Sequence, residues 1–141
     1  LNLDDDTIVY FLENDYIHAP NSMNALFDGF DIGAHYVTLY DHPDKYISSY
    51  DYGEPTRVMK GNVCHWKMTI STTMTFAAKV STLTEDKDIW IENTGGSYPT
   101  DHQAFTQLRE KGRTLVSPIP GYSTHGETAW LSPFRNWEMI I

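Results

Sequence analysis

The feature that most constrains this chain is a short apolar run, Ile8–Leu12, followed by the polar residues Glu13, Asn14 and Asp15. The run is rich in β-branched and aromatic residues, and polar residues bound it, which is typical of a strand buried on both faces. In open α/β sheets, ligands bind beyond the carboxyl ends of the strands. Glu13 and Asp15 are therefore placed to meet a ligand or a divalent metal ion, unless they only solvate the end of the strand.

Helical spacing occurs in three further segments. The first carries apolar residues at positions i, i+3, i+4 and i+7 and ends at Gly33; these residues are Met23, Leu26, Phe27 and Phe30. A second helix is predicted from Thr100 to Gly112, with a capping box formed by Thr100 and Gln103. A third is predicted after the caps at residues 71–73 and carries Phe76, Ala77, Val80 and Leu83 on one face.

Strands are predicted at residues 35–40 and 114–117, and a hairpin over residues 57–70 turns at Gly61-Asn62. Residues 17–20 are predicted to form a turn and residues 121–128 a loop. The alternation of strand and helix predicts an α/β fold with a mixed sheet flanked by helices, in a single domain spanning residues 1–141.

The charge balance excludes several classes of partner. The chain carries 19 acidic and 10 basic residues, a net charge of −9, which argues against a nucleic acid or an anionic membrane surface as partner. A single cysteine, Cys64, excludes an internal disulfide and a cysteine-based zinc site. The sequence has neither an apolar run long enough to cross a bilayer nor a visible signal peptide, so a cytoplasmic location is expected.

Two segments together resemble the nucleotide-sugar glycosyltransferases of the GT-A fold, particularly the large inverting family 2. The strand that ends in Glu13-Asn14-Asp15 is similar to the D-x-D motif of that family. Residues 100–116 resemble its stretch of an acidic pair, an amphipathic helix, a glycine and a strand. His125 lies where that family has a histidine after the strand. The resemblance implies that this chain is the C-terminal part of a GT-A-like, Rossmann-like fold.

The resemblance also implies roles for four residues. Asp15 would ligate a Mn²⁺ or Mg²⁺ ion that bridges the diphosphate of a nucleotide sugar, and Glu13 would lie toward the nucleotide or the water shell of the metal. His125 would be a further contact to the metal or a phosphate. Asp101 would be the general base that takes the proton from a hydroxyl acceptor, and its position at a helix N-terminus favours the ionised carboxylate. Direct attack by that acceptor would invert the anomeric centre.

Three departures from the family pattern lead to further expectations. Glu13 stands where the motif usually begins with Asp, and Thr100 replaces the first acid of the acidic pair. The N-terminal half of the family fold, which grips base and ribose, has no counterpart in this sequence. The chain is therefore expected to be the catalytic and acceptor half of a longer glycosyltransferase, inactive or weak in nucleotide binding as a fragment. The surface exposed by the missing half would favour a homodimer.

Two other functions remain open from the residues alone. His42, Asp44 and His125, with Arg135 beyond them, match the facial triad and carboxylate-binding arginine of an Fe(II) and 2-oxoglutarate oxygenase. Against this, the oxygenase barrel needs more strands before His42 than the preceding residues supply. The second alternative is a non-catalytic binding or assembly domain, which would show no metal-dependent nucleotide binding.

The role of three tryptophans can also be interpreted in two ways, as sugar-stacking surfaces or as core residues. Trp66, Trp130 and Trp137 present flat aromatic faces that suit the apolar face of a sugar, but tryptophans more often pack in a core or at its edge. Their exposure decides between sugar stacking and core packing.

Overall fold

The computed structural model describes residues 2–47, 56–73, 75–96 and 100–140. The strands in these ranges are β1 (Ile8–Phe11), β2 (Tyr16–His18), β3 (Tyr36–Val37), β4 (Val58–Lys60), β5 (His65–Met68), β6 (Phe76–Lys79), β7 (Leu115–Ile119) and β8 (Ser123–His125). The helices are α1 (Ser22–Asp31), α2 (Val80–Glu85), α3 (Lys87–Thr94) and α4 (Asp101–Glu110). Single turns of 3₁₀ helix span Pro43–Tyr46, Thr128–Trp130 and Trp137–Met139.

Six strands form one mixed sheet in the order β1-β6-β3-β7-β5-β4, and β2 pairs separately with β8. β3 lies parallel to β7, whereas the other neighbours in the sheet are antiparallel. β1, β3 and β7 therefore run in the same direction, and their carboxyl ends lie at one end of the sheet. This arrangement confirms the predicted α/β class, a mixed sheet flanked by helices.

Helices cover both faces of this sheet. On one face, α1 buries Ala25 and Leu26 in a cluster that also contains Val37, Leu39, Trp66, Ala77 and Val116. On the other face, α4 buries Phe105 and Leu108 against Tyr36, Phe76, Ala78 and Leu115, with α3 packed beside them. Successive residues of a strand point to opposite faces, so neighbours in the chain such as Ala77 and Ala78 belong to different layers.

β1 is an edge strand, and its side chains are half-buried or exposed. Both findings correct the prediction of an interior strand buried on both faces. It stands at the end of the strand order and pairs only with β6 among the described strands. Ile8, Val9 and Tyr10 are half-buried, and Phe11 is 40% exposed. An apolar composition alone does not distinguish an interior strand from an edge strand whose outer side is open.

The helix predicted for residues 71–83 is wrong in its first half. Phe76–Lys79 is strand β6, and the helix begins only at Val80. β6 lies between β1 and β3, where Phe76, Ala77 and Ala78 are all buried. A strand buried on both faces shows no alternation of apolar and polar residues, so its sequence is compatible with a helix as well.

The other two predicted helices are confirmed as α1 and α4. Gly33 and Gly112 follow them with φ of 95° and 96°, the left-handed conformation expected after a helix C-terminus. The capping box is wrong, because Thr100 makes no side-chain cap and its hydroxyl donates instead to the carbonyl of Asn93. None of the helices within the described residues combines the length and the apolar character needed to cross a bilayer.

The hairpin predicted over residues 57–70 is confirmed as β4 and β5, but the predicted two-residue turn at Gly61-Asn62 is wrong, because Lys60 pairs with His65 and the loop comprises residues 61–64. Its loop is held by Asp28 of α1, a carboxylate only 3% exposed. Asp28 accepts hydrogen bonds from the backbone N–H groups of Asn62 and Val63, at 2.8 and 3.0 Å, and from the indole of Trp66 at 2.9 Å. One buried carboxylate thus fixes α1 to the β4–β5 hairpin at the end of the strand order. The strand predicted at residues 114–117 is confirmed as β7, although it continues through Pro118.

A second buried carboxylate, Asp86 between α2 and α3, connects these helices to the end of α4. It is 1% exposed and accepts hydrogen bonds from Tyr36 Oη at 2.7 Å, from Arg113 Nε at 3.0 Å and from Lys111 Nζ at 2.5 Å. Burial by itself would raise the pKa of Asp86, but the hydrogen bonds from Arg113, Lys111 and Tyr36 outweigh burial and lower that pKa below its ordinary value of 3.8.

Replacing this carboxylate by Asp86→Ala is expected to lower the free energy of unfolding by about 1–3 kcal/mol, because the buried Tyr36 hydroxyl loses its acceptor and Arg113 loses its buried partner. Since the folded pKa of Asp86 is depressed, its contribution is complete above the unfolded value of 3.8 and is lost as the pH falls below it. Urea denaturation at pH 7 and pH 3 measures both effects. Asp88→Ala, at an exposed position of α3, is the control and should change stability by less than about 0.5 kcal/mol. Equal losses in the two variants would refute this account of Asp86.

Candidate functional site

Asp15 and His125 are brought together by the pairing of two short strands. β2 and β8 run antiparallel with Tyr16 opposite His125, Ile17 opposite Thr124 and His18 opposite Ser123. Asp15 immediately precedes β2, so this register places it beside His125. The predicted turn at residues 17–20 and loop at residues 121–128 are both wrong in this respect. The one sequence signal for these strands is the alternation of residue type in Tyr-Ile-His and Ser-Thr-His. Each segment has only three residues, so this signal is weak.

Glu13, Asp15 and His125 form what we call the acid–histidine group. His125 Nε2 lies 3.1 Å from Asp15 Oδ2, and each of the three residues offers a ligand atom within 4.8 Å of the other two. Both carboxylates are exposed, whereas His125 is half-buried. Three of the four predicted site residues thus meet at one place.

The Tyr16 side chain packs against His125 of this group. Its ring packs edge-on against the rings of His125 and Tyr40, with centroids 5.4 Å away in each case. The Tyr16 hydroxyl lies 3.1 Å from Thr73 Oγ1. Burial raises the pKa of Tyr16 to about 12, the hydrogen bond to Thr73 opposes the rise, and the charges of Glu13 and Asp15 add to it. Tyr16 therefore stays protonated near neutral pH and is a fixed wall of the site.

The group has the donor chemistry of a divalent metal site. Two ligand atoms at adjacent positions around one ion lie about 3 Å apart when each bond is about 2.1 Å long, close to the Asp15–His125 distance. Carboxylates suit Mg²⁺ and Mn²⁺ alike, whereas the imidazole nitrogen favours the transition metal, Mn²⁺. The same distance also suits a hydrogen bond from the imidazole to Asp15, so a proton competes with a metal for this position.

One feature of His125 limits its strength as a ligand. Its Nδ1 atom is buried and has no hydrogen-bond partner among the described residues. The tautomer that leaves Nε2 free for a metal carries its hydrogen on Nδ1, and metal-ligating histidines usually donate that hydrogen to an acceptor. We therefore expect a weaker metal site than one with a fully hydrogen-bonded imidazole.

Asp101 lies outside the acid–histidine group, at the half-exposed first turn of α4. Phe105, one turn later, packs on Phe76 with centroids 5.5 Å apart, and Phe76 packs on Phe11 with centroids 5.1 Å apart. Phe11 is the last residue of β1, two positions before Glu13. A short connection also joins the C-terminus of α4 to the start of β7. The first turn of α4 is therefore directed toward the end of the sheet at which the group lies.

The residues of the oxygenase alternative do not form a facial triad. His42 Nδ1 lies 2.8 Å from Asp44 Oδ1, but His125 belongs to the acid–histidine group. In the described part of the chain, that group is the one set of three His, Cys, Asp or Glu residues with ligand atoms so close together. Arg135 Nε donates to the carbonyl of Gly121 at 2.7 Å. An open sheet likewise replaces the barrel that such an oxygenase needs.

The tryptophans divide between core and surface. Trp66 and Trp137 are 0% and 3% exposed and are core residues, which removes both as stacking platforms. Trp130 is 38% exposed and packs against His42, with ring centroids 5.5 Å apart. Of the three, Trp130 alone keeps a face that a sugar could reach.

Comparisons with protein-family models, with curated protein sequences and with solved structures found no match to this chain.

Gly126 sets the approach of the two strands beside the acid–histidine group. Its N–H donates to the carbonyl of Asp15 at 2.9 Å. A Cβ atom at position 126 would lie 2.7 Å from that carbonyl oxygen, closer than real Cβ contacts allow. Sequence reasoning missed this residue, because a glycine after a histidine is not by itself a signal of close backbone approach.

Gly126→Ala is therefore expected to displace the backbone of Asp15 and to lower the free energy of unfolding by about 1–3 kcal/mol. Gly95→Ala is the matched control, since no atom lies within 4 Å of the added Cβ there. Chemical denaturation gives the stabilities, and amide chemical shifts of residues 13–17 and 123–126 report the local displacement. Shifts no larger than those of Gly95→Ala would contradict the close approach.

Proposed function

We propose that this chain is a metal-dependent, inverting glycosyltransferase-like domain that transfers a sugar from a nucleoside-diphosphate sugar to a hydroxyl acceptor. The observation that carries the proposal is the convergence of Glu13, Asp15 and His125 at the carboxyl end of β1. The motif resemblance names the same residues, and the first turn of α4, with Asp101, is directed toward the same end of the sheet.

In this proposal Asp15 and His125 hold the cation, and Glu13 lies beside them toward the nucleotide or the water around the ion. The proposed ion is Mn²⁺ or Mg²⁺, and the imidazole of His125 favours Mn²⁺. A bound divalent cation supplies positive charge that stabilises the negative charge developing on the departing diphosphate. Tyr16 keeps the imidazole in place through the edge-on ring contact.

Asp101 is the proposed general base. The N-terminus of α4 carries the positive end of the helix dipole, which favours the ionised carboxylate needed to accept a proton. The carboxylate would take the proton from the acceptor hydroxyl as its oxygen attacks the anomeric carbon of the donor. Attack from the side opposite the departing diphosphate inverts that carbon.

The charge of the chain supports a role for a cation. A protein with a net charge of −9 repels a diphosphate, and no lysine or arginine occurs before Lys45. Binding of a nucleoside diphosphate near Glu13 and Asp15 is therefore expected only in the presence of a divalent cation. This dependence separates the proposal from a non-catalytic assembly domain.

Isothermal titration with MnCl₂ tests the cation site directly. Asp15→Asn and His125→Gln are each expected to weaken Mn²⁺ binding by about tenfold or more, because each removes one ligand. Asp31→Asn, at an exposed acid of α1, is the control for loss of one negative charge and should bind Mn²⁺ nearly as tightly as the unchanged protein. If the three variants bind Mn²⁺ with equal affinity, Asp15 and His125 are not metal ligands.

Asp101→Asn tests the proposed base. Transfer, measured as release of UDP or GDP from the corresponding nucleotide sugar with an acceptor present, is expected to fall by about 10²–10⁴-fold, the contribution typical of a general base. Mn²⁺ affinity should stay unchanged, because Asp101 is not a proposed ligand. Glu110→Gln, at the other end of α4, is the matched control. Undiminished transfer by Asp101→Asn would exclude Asp101 as the base.

A further inference from the structure

The outer side of β1 carries main-chain groups that no described strand pairs with. Val80 N–H donates to the carbonyl of Thr7 at 2.9 Å, and Thr7 stands opposite Val80 by continuation of the β1–β6 register. In an antiparallel pair, hydrogen-bonded positions alternate, so Val9 and Phe11 also face β6. The N–H and C=O groups of Ile8 and Tyr10 therefore point away from the sheet.

An apolar groove lies beside this free edge. It encloses about 280 Å³ between β1 and α1, and the residues that line it include Ile8, Tyr10, Met23, Leu26 and Phe27. Met23 is 68% exposed and Phe27 is 45% exposed. The side chains of Ile8 and Tyr10 thus face the groove, while their main-chain groups point outward along its rim. A strand added at this edge would place every second side chain in the groove.

The chain segments that line the groove, and the residues next to them in sequence, carry acids and no lysine or arginine. The first 44 residues contain no lysine or arginine. Six exposed acids precede β1, follow it or end α1; these are Asp4, Asp5, Asp6, Glu13, Asp15 and Asp31. Lys79 of β6 carries a positive charge near this edge, and its Nζ lies 3.7 Å from Asp6 Oδ1. An occupant with basic residues at its ends therefore matches both ends of β1.

We propose that the groove is a docking site for an extended segment of a separate partner, which adds as a strand to the outer edge of β1. The segment has apolar side chains at alternate positions and lysine or arginine at its ends. Main-chain hydrogen bonds to Ile8 and Tyr10 supply the pairing, and the groove selects the apolar side chains. The groove itself is distinct from the acid–histidine group, but one basic end of the segment would lie beside Glu13 and Asp15 of that group.

A second copy of the chain fits this edge poorly. Antiparallel pairing of two β1 strands would place Asp4, Asp5 and Asp6 of each copy beside Glu13 and Asp15 of the other, and parallel pairing would place the three aspartates side by side. Both arrangements bring like charges together on an edge that is already acidic. The charge distribution therefore favours a cationic partner.

The test uses a capped decapeptide with two lysines at each end and alternating valine and threonine between them. Binding is followed by fluorescence anisotropy, and pairing by amide hydrogen exchange of the protein. The peptide is expected to slow exchange at Ile8 and Tyr10 and to leave Val9 and Phe11, which already face β6, nearly unchanged. The same peptide with glutamates in place of the lysines should bind at least about tenfold more weakly.

Two protein variants distinguish the groove from general acidity. Met23→Asp puts a charge at an exposed position of the groove and is expected to weaken peptide binding by about tenfold or more, because a carboxylate would be desolvated there. Ile91→Asp is the matched control, at a 61% exposed position of α3 on the opposite face of the sheet, and should bind the peptide normally.

Three outcomes would overturn the proposal. Equal binding by Met23→Asp and Ile91→Asp would show attraction by charge alone. Protection of Ile8 and Tyr10 without peptide, in a sample that sedimentation shows to be dimeric, would make a second copy the occupant. The same protection in a monomer would show that the chain covers its own edge.

Discussion

The antiparallel pairing of β2 with β8 is the interaction on which the candidate site depends. Each strand has three residues, and their register alone sets Asp15 beside His125. A slip by one residue would turn His125 to the opposite face of this ribbon, because side chains alternate along a strand. The close approach at Gly126 and the packing of Tyr16 between His125 and Tyr40 oppose such a slip. Backbone complementarity therefore determines whether the acid–histidine group exists at all.

The larger sheet explains why the site forms at this end. β1 and β7 run in the same direction, so their carboxyl ends lie at the same end of the sheet. Glu13 follows β1 and strand β8 follows β7, so both start from that end. α4 precedes β7 and must run back along the sheet, which brings its N-terminus toward that same end. The direction of the strands thus accounts for the meeting of Glu13 and Asp15 with His125, which is far away in sequence, and for the direction of α4 toward the same end.

The elements predictable from sequence were those with a strong periodicity and a clear stop. α1 and α4 each combine an apolar stripe with a glycine at positive φ, and the β4–β5 hairpin has turn residues between two apolar segments. The sequence of β6 favours a helix, because Phe76, Ala77 and Ala78 are all buried and show no alternation of apolar and polar residues. β2 and β8 are not predictable from the sequence for a different reason, since three residues are too few to define a period. Chemistry and motif nevertheless point to the candidate residues, and three of the four meet although the sequence does not predict the strands that join them.

Both the proposed metal site and the proposed docking site depend on acidic charge, but they use that charge in different ways. Carboxylates in this chain are paired where they are buried, as for Asp28 and Asp86, and are left exposed along β1 and at its end. Exposed carboxylates held close together repel one another, and a cation relieves that repulsion whether it is a metal ion or a basic side chain. A metal ion in direct contact with Asp15 and His125 depends on ligand geometry, so its affinity responds to the loss of a single ligand. A basic segment along β1 instead interacts with several spread charges, and its affinity falls steeply with added salt. The response to salt is therefore the physical property by which the two kinds of cation binding differ on this one acidic surface.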